Sequence, residues 1–369
     1  MSSNVVIVKI GSSTIVGEDG RLREDVIRAR AADVLALRQE GHRPVVVSSG
    51  ATASGRGRLG LGQHRTALPD LQAASAVGQS ALMAEWDAAL GIDGVVAAQV
   101  LLTSHDLERR ASYLNARTTL LRLLDLGVVP IVNENDTTAT DELTFGDNDV
   151  LAAHVAVLLR ARALLLLTDR EGLLAQGDGA PSLIDQVPGD TELDALPLAD
   201  LGASRTGRGG MLSKLAAAEM ARSAGITCVV ASALEDGVVQ DALAGRPRGT
   251  RLAPAPSGES GFKLWLRHAK PSRGAVRVDD GAATAMRQSG RSLLPVGVVG
   301  SDGTFAAGDA VDVLDSSGRA VGKGIASLSA EEVRAVAGLR SEQVRRQLPD
   351  ASGEVIHRDR FVLARDDVV

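Results

Sequence analysis

Cysteine, aromatic residues and long hydrophobic runs are scarce in this chain of 369 residues, and each absence excludes a class of protein. The single cysteine, Cys228, lies in an apolar run without a partner, so no disulfide framework exists and a reducing compartment is expected. No apolar stretch approaches the roughly 18 residues of a membrane-spanning helix. The N-terminal segment lacks the basic and apolar regions of a signal peptide. We therefore expect a cytoplasmic protein with no membrane association.

Aromatic residues make up 2% of the chain and hydrophobic residues 44%, so its cores must be built from Ala, Val and Leu. The length predicts two domains rather than one. The net charge is −6, and residues 263–369 carry 16 basic and 14 acidic side chains. Neither part of the chain is basic enough to require nucleic acid as a partner. The six histidines have no metal-ligand spacing, so no zinc site is expected.

Lysine is also rare. The chain has 35 arginines and 5 lysines, and within the first 262 residues the only lysines are Lys9 and Lys214. Both lie in glycine-rich segments between a predicted strand and a predicted helix. An ammonium is a compact point charge on a flexible stem that can follow a moving phosphoryl group, whereas a guanidinium is a planar fork suited to fixed bidentate pairing. The two lysines therefore predict a phosphate site.

Short β-branched runs alternate with longer Ala- and Leu-rich stretches of helical period, which predicts a parallel sheet with helices on both faces. The predicted strands span 4–10, 43–49, 94–102, 127–133, 163–169 and 226–232. The predicted helices span 24–40, 70–90, 110–126, 149–160 and 211–224. Polar or glycine-rich loops follow several strands, at the edge where open α/β sheets bind ligands.

A change in composition after about residue 245 divides the chain. The segment "RPRGTRLAPAPSGESG" is rich in Pro, Gly and Ser, and from about residue 273 short β-type runs alternate with Gly and Asp turns. We predict a first domain over 1–258, a linker over 259–272 and a small β-rich domain over 273–369.

Two glycine-rich segments contain the rare lysines. "VIVKIGSST" (6–14) and "TGRGGMLSKLAAAEMARSAG" (206–225) place backbone N–H groups beside an ammonium, as anion-binding loops do, and the plain alternative for each is an ordinary turn. "GRGRLG" (55–60) satisfies G-x-G-x-x-G, but it starts seven residues past the apolar core of its strand. A dinucleotide site there is a weak alternative.

Three further polar segments follow predicted strands. "VVVSSGAT" (45–52) is suited to a backbone approach to a carboxylate. "VNENDTTATDELTFGDNDVLAAH" (132–154) is the densest polar stretch, and a carboxylate at its helix start could organise two ammonium groups. "LLLLTDREGL" (164–173) ends a strand in Thr168 and Asp169, placed to meet a nucleotide or its metal. Solvated loops and turn caps are the plain alternatives, because Asn and Asp favour turns for local reasons.

Taken in order, "VIVKIGSS", "VVVSSGA", "VNENDT", "FGDND", "LLLLTDREGL" and "GRGGMLSK" resemble the motifs of the amino-acid kinase family. "NEND" with "GDND" and a PUA-like tail resembles the branch that phosphorylates the γ-carboxylate of L-glutamate. The resemblance implies an α/β fold, a three-layer αβα sandwich with a mainly parallel central sheet, followed by a small β-rich PUA-like domain. It also implies ATP, with Mg²⁺ carried by ATP rather than held by the protein. The product would be L-glutamate 5-phosphate, the first intermediate of proline biosynthesis.

The same resemblance implies a role for each matching residue. The catalytic residues would be Lys9, Lys214 and Asp149, with both lysines on the transferring phosphoryl group and the aspartate holding them in place. The substrate-binding residues would be Ser49, Gly50, Asn133, Asp136 and Asn148, with Asp136 the best candidate for the α-ammonium. The ATP-binding residues would be Lys9, Thr168, Asp169, Arg208, Gly209, Gly210, Met211, Leu212, Ser213 and Lys214. Arg208 stands where the family has Thr, and it could pair with a phosphate or point to solvent.

The attacking γ-carboxylate is ionised at neutral pH, because its ordinary pKa is about 4.3, so no general base is needed. The resemblance further implies feedback inhibition by proline at the glutamate site, transfer of the acyl phosphate to glutamyl phosphate reductase, and a homodimer or homotetramer. RNA is not expected as a partner of the C-terminal domain.

Three alternatives stay open from the sequence. A sibling kinase of the same fold would share the lysines and Asp149 but act on acetylglutamate, aspartate or a nucleoside monophosphate. An RNA-binding protein would use the PUA-like domain, although its low net charge and few aromatic residues provide little neutralisation of phosphates or stacking on bases. A nicotinamide-dependent oxidoreductase would use "GRGRLG".

Overall fold

The computed structural model describes residues 4–61, 67–138, 148–177, 180–199, 210–255, 260–348 and 353–364. Contacts divide the chain into two units, Met1–Gly258 and Glu259–Val369. A helix capable of spanning a membrane is not found in the described part of the chain.

The first unit is built on one eight-stranded sheet with helices on both faces. The strands of this sheet are β1 Val5–Ile10, β2 Arg43–Ser48, β3 Ala97–Leu102, β4 Val129–Glu134, β5 Ala163–Thr168, β8 Gln186–Val187, β9 Thr227–Ser232 and β10 Thr250–Leu252. Two further strands, β6 Leu174–Ala175 and β7 Ser182–Leu183, form a separate antiparallel pair. Its helices are α1 Ser12–Ile15, α2 Glu24–Gln39, α3 Ala51–Leu59, α4 Leu68–Gly91, α5 Ser104–Glu108, α6 Arg110–Asp125, α7 Asn148–Leu159, α8 Met211–Ser223 and α9 Val238–Ala244, with a 3₁₀ turn at Leu193–Ala195.

The strand order is β3-β4-β2-β1-β5-β9-β10-β8, and every pair is parallel except β9 with β10. Strands β1, β4 and β5 are buried along their whole length, which is why they read as near-continuous apolar runs rather than alternating ones. Because the strands are parallel, the carboxyl ends of β1, β2, β4, β5 and β9 meet at one edge of the sheet. The predicted fold class is confirmed, and the predicted strands and helices match observed elements to within three residues.

Helices α3 and α4 approach each other at backbone distance. A Cβ atom added at Gly55 would lie 1.7 Å from the Ala74 carbonyl oxygen, and one added at Gly78 would lie 1.8 Å from the Ala51 carbonyl oxygen. No side chain larger than hydrogen fits at either position. "GRGRLG" therefore lies within α3 and its C-cap rather than in a strand-to-helix turn, and its first glycine allows helix packing instead of a pyrophosphate approach. The dinucleotide alternative is not supported.

The second unit has a five-stranded sheet and four helices among its described residues. The strands are β11 Ser272–Val278, β12 Val298–Gly303, β13 Ala310–Leu314, β14 Ala320–Ala326 and β15 Ile356–Leu363, in the order β12-β11-β13-β14-β15. The helices are α10 Gly261–His268, α11 Asp280–Ser289, α12 Ala330–Val336 and α13 Ser341–Gln347, with a 3₁₀ turn at Pro295–Gly297. The β-rich character predicted for this part is confirmed.

The structure differs from the linker predicted over 259–272, because Gly261–His268 form α10. The Ser260 hydroxyl caps this helix by accepting from the Lys263 N–H at 3.3 Å. Leu264, Trp265 and Leu266 are buried, and the helix packs against β14 and β15. Eight residues make about two helical turns, and a helical period cannot be recognised over so short a segment. The preceding Pro- and Gly-rich stretch favoured a linker instead.

We predict that Gly78→Ala destabilises the protein. The added methyl group would collide with the Ala51 carbonyl, and overpacking of this kind costs about 1 to 3 kcal/mol. Gly91→Ala is the matched control, because Gly91 ends the same helix and an added Cβ there meets nothing within 4 Å. Urea unfolding followed by circular dichroism compares the two, and equal midpoints for both variants would contradict the predicted collision.

Candidate active site

Three charged side chains from distant parts of the first unit meet at one point. The Lys9 Nζ atom lies 2.5 Å from Asp149 Oδ1, and the Lys214 Nζ atom lies 3.0 Å from Asp149 Oδ2. Lys9 is the fifth residue of β1, Asp149 the second residue of α7, and Lys214 lies in the first turn of α8. We call these three residues the charged trio.

The charged trio is largely removed from water. The exposed fraction of the side chain is 3% for Lys9, 0% for Asp149 and 11% for Lys214. Burying an ion is costly unless it is paired, so each ammonium needs the carboxylate between them. Two ammonium groups against one carboxylate leave a net charge of +1. The trio is therefore electrostatically suited to an anion.

The first turn of α8 adds polar groups beside the trio. The Ser213 hydroxyl accepts from the Gly210 N–H at 3.2 Å and lies 3.4 Å from Asp149 Oδ2. The first N–H groups of a helix have no intrahelical acceptor, and they favour anions. Met211 is half-buried and Leu212 is exposed. Arg208 and Gly209, named with this loop from the sequence, lie outside the described residues.

Thr168 and Asp169 stand at the end of β5, the strand next to β1. Lys9 pairs in register with Leu166, so the two residues follow it at the sheet edge. The Thr168 hydroxyl donates to Asp169 Oδ1 at 3.0 Å, and Asp169 is exposed. The loop after β1 is close to the same place, because the Gly11 N–H donates to the Leu167 carbonyl at 3.3 Å. A ligand at this edge could reach both loops.

A second group of polar side chains is hydrogen-bonded to Asn148, the first residue of α7. The Asn148 Nδ2 atom donates to Ser49 Oγ and to Asn133 Oδ1, both at 2.8 Å. The Asn133 Nδ2 atom donates to Gln79 Oε1 at 2.8 Å. We call Ser49, Gln79, Asn133 and Asn148 the amide network. It adjoins the charged trio through the peptide bond between Asn148 and Asp149.

Asp136 is held separately by two hydroxyl groups. Its Oδ2 atom accepts from Thr52 Oγ1 at 3.1 Å and from Ser75 Oγ at 3.2 Å. Gly50, which precedes α3, has φ of +99°, and its backbone conformation favours glycine.

The structure thus brings Lys9, Asp149 and Lys214 together, and Ser49, Asn133 and Asn148 beside them. Sequence reasoning missed Thr52, Ser75 and Gln79, which touch the predicted residues. Ser75 and Gln79 lie four residues apart and therefore on one face of α4. Two polar residues at this spacing in an Ala-rich helix were the available clue.

A metal site was not expected in the protein itself. Among the described residues, no three His, Cys, Asp or Glu side chains converge closely enough to hold an ion.

Burial raises the pKa of the Cys228 thiol, and the nearby charge of Asp149 adds to the rise. A raised pKa disfavours the thiolate, the nucleophilic form of cysteine.

Comparison with known proteins agrees with this geometry. The model of the amino acid kinase family matches residues 4–232, and that of the PUA domain matches residues 274–348. A protein called glutamate 5-kinase from Streptomyces avermitilis is 43% identical over 366 residues, covering 97% of this chain and 96% of its own length. A protein of the same name from Halorhodospira halophila is 44% identical over 363 residues, with 97% and 96% covered.

Among solved structures, carbamate kinase from Giardia lamblia bound to AMP-PNP has a TM-score of 0.50 and 16% identity, and the likeness covers 69% of this chain and 99% of that one. At this identity the likeness concerns the fold alone. The family match spans more than half of the chain, and the two relatives extend over nearly all of it. This chain belongs to the amino acid kinase family and carries a PUA domain.

Proposed function

We propose that the protein transfers the γ-phosphoryl group of ATP to the γ-carboxylate of L-glutamate, the first step of proline biosynthesis. The observation that carries the proposal is the position of the charged trio directly beside the amide network, since Asn148 and Asp149 are neighbours at the start of α7. One group suits a phosphoryl anion and the other a polar substrate. The relatives named glutamate 5-kinase support glutamate as that substrate.

In the proposed reaction, the γ-carboxylate attacks in its ionised form, and the enzyme supplies position and charge rather than a base. Lys9 and Lys214 stabilise the negative charge on the transferring phosphoryl group. Asp149 is a positioning residue, because it holds both ammonium groups at salt-bridge distance. The residual charge of +1 favours the anionic reactants over neutral ones.

Substrate and nucleotide occupy different sides of the trio in this proposal. Ser49, Gly50, Asn133 and Asn148 bind glutamate, and Asp136 pairs with its α-ammonium. Thr168, Asp169 and the segment 208–214 bind ATP, with Arg208 and Gly209 included from the sequence alone. The ATP site is proposed from the family resemblance. Mg²⁺ enters with ATP.

The wider context is proposed from the family resemblance. The protein is cytoplasmic and forms a homodimer or homotetramer, and proline inhibits it at the glutamate site. Its acyl phosphate product is labile in water and passes to glutamyl phosphate reductase.

The test of the proposed function is acyl-phosphate formation from ATP and Mg²⁺, trapped as the hydroxamate. The acceptors compared are L-glutamate, N-acetylglutamate, aspartate and none. We expect hydroxamate from L-glutamate alone. Product from another acceptor would keep the phosphate site and replace the substrate, and no product from any acceptor would refute the kinase activity.

We predict that Lys214→Arg is nearly as damaging as Lys214→Ala. A guanidinium cannot replace the point charge at this place, and loss of one such charge lowers kcat by roughly 10² to 10³. Lys263→Arg, in the second unit, is the control and should leave kcat within about two-fold. Near-normal turnover of Lys214→Arg would remove the argument that this position requires an ammonium.

We predict that Asp136→Asn raises the KM for glutamate roughly 10- to 100-fold, because a charged partner of the α-ammonium is lost. The amide can still accept from Thr52 and Ser75, so the local structure is kept. The KM for ATP should stay nearly constant. Asp87→Asn, at an exposed position of α4, is the control, and a shift in the ATP constant instead would assign Asp136 to the nucleotide.

A further inference from the structure

The amide network is almost closed to water at its inner end. Gln79 is 7% exposed and Asn133 is 2% exposed. Buried amides cannot exchange partners with solvent, so the direction in which each one donates must be decided within the protein. That direction can be worked out from one backbone group.

The Glu134 N–H decides the direction. It donates to the Asn133 side chain at 2.9 Å. A backbone N–H can only donate, so the accepting atom must be Oδ1, and Nδ2 of Asn133 must face Gln79. The atom of Gln79 at 2.8 Å must then be its acceptor, Oε1.

The same reasoning assigns the donor and the acceptor in the hydrogen bond between Asn148 and Ser49. Because Asn133 presents Oδ1 to Asn148, the amide of Asn148 must present Nδ2, and its two hydrogens go to Asn133 and Ser49. The Ser49 hydroxyl is therefore an acceptor in this bond and keeps its own hydrogen to donate. Asn148 Oδ1 is buried and has no donor among the residues that the structure describes.

The outer end of the network thus offers one donor, Ser49 Oγ–H, and one acceptor, Asn148 Oδ1. An α-amino acid substrate carries both a carboxylate that accepts and an ammonium that donates. A donor and an acceptor close together match such a zwitterion. This arrangement exists only while the amides keep their direction.

Resting on the glutamate kinase activity proposed above, we propose that Gln79 is a positioning residue for the amino-acid substrate. Its Oε1 atom accepts from the buried Nδ2 of Asn133, so that both ends of this amide have partners while the Glu134 N–H fixes its direction. Without this acceptor, the buried Nδ2 of Asn133 has no partner although the Glu134 N–H still requires Oδ1, so Nδ2 can find a partner only if the Asn133 side chain leaves its present position. Asn148 then loses the acceptor that holds its Nδ2, and it can turn Oδ1 toward Ser49, whose hydroxyl donates to it instead of to the substrate.

The first test is Gln79→Met, which keeps the length of the side chain and replaces the amide oxygen by a thioether, a weak acceptor. We expect the KM for L-glutamate to rise roughly 5- to 100-fold, the range set by an unsatisfied buried donor, while the KM for ATP stays within about two-fold. Gln240→Met is the matched control. Gln240 donates to the Asp33 carbonyl at 2.9 Å, outside the amide network, so its loss should leave both KM values unchanged.

The second test separates this role from a merely structural one. In a Ser49→Ala background the donor that Gln79 protects is already gone, so Gln79→Met should add little to the KM for glutamate. Full additivity of the two effects would overturn the proposal, since residues that act through one network are non-additive. Gln79→Ala provides the same comparison if the methionine variant does not fold.

Failure of this inference is distinguishable from failure of the proposed function. An inactive wild-type protein with L-glutamate would refute the function. An active wild-type protein with an unchanged glutamate KM in both Gln79 variants would refute the role of Gln79 alone.

Discussion

The buried carboxylate of Asp149 holds together the parts of the first unit that could do chemistry. Lys9 comes from the first strand and Lys214 from a helix more than 200 residues later, and two ammonium groups would repel each other in a dry site without a counter-charge. One carboxylate between them lowers that repulsion and leaves a residual positive charge. The same interaction thus keeps the site folded and makes it receptive to an anion.

The start of α7 connects this charge to the polar network. Asn148 and Asp149 are consecutive residues, and consecutive side chains on a helix point about 100° apart. One therefore faces Ser49 and Asn133, while the other faces the two lysines. A short helical turn places a site for a polar substrate and a site for a phosphoryl group next to each other with no loop in between.

The close packing of α3 against α4 supports the amide network, because Gln79 lies on α4. Gly55 and Gly78 remove the side chains that would keep the two backbones apart. Residues beside these contacts then reach the sheet edge: Thr52 and Ser75 hold Asp136, and Gln79 accepts from Asn133. The glycines thus set how near α4 comes to α3, the two helices from which Ser75 and Thr52 both reach Asp136.

The sequence by itself determined the alternation of strands and helices, the β-rich second unit and the two unusual lysines, because these follow from local periodicity and composition. The family resemblance had already implied that Asp149 holds Lys9 and Lys214. Only the tertiary structure decided that Thr52, Ser75 and Gln79 contact the site residues and that Gly55 of "GRGRLG" packs against α4. It also decided that Gly261–His268 form a helix. The contacts of Gln79 with Asn133 and of Ser75 with Asp136 join residues 54 and 61 positions apart, and no local pattern encodes a contact of that span. Their partners are chosen by how the helices pack on the sheet.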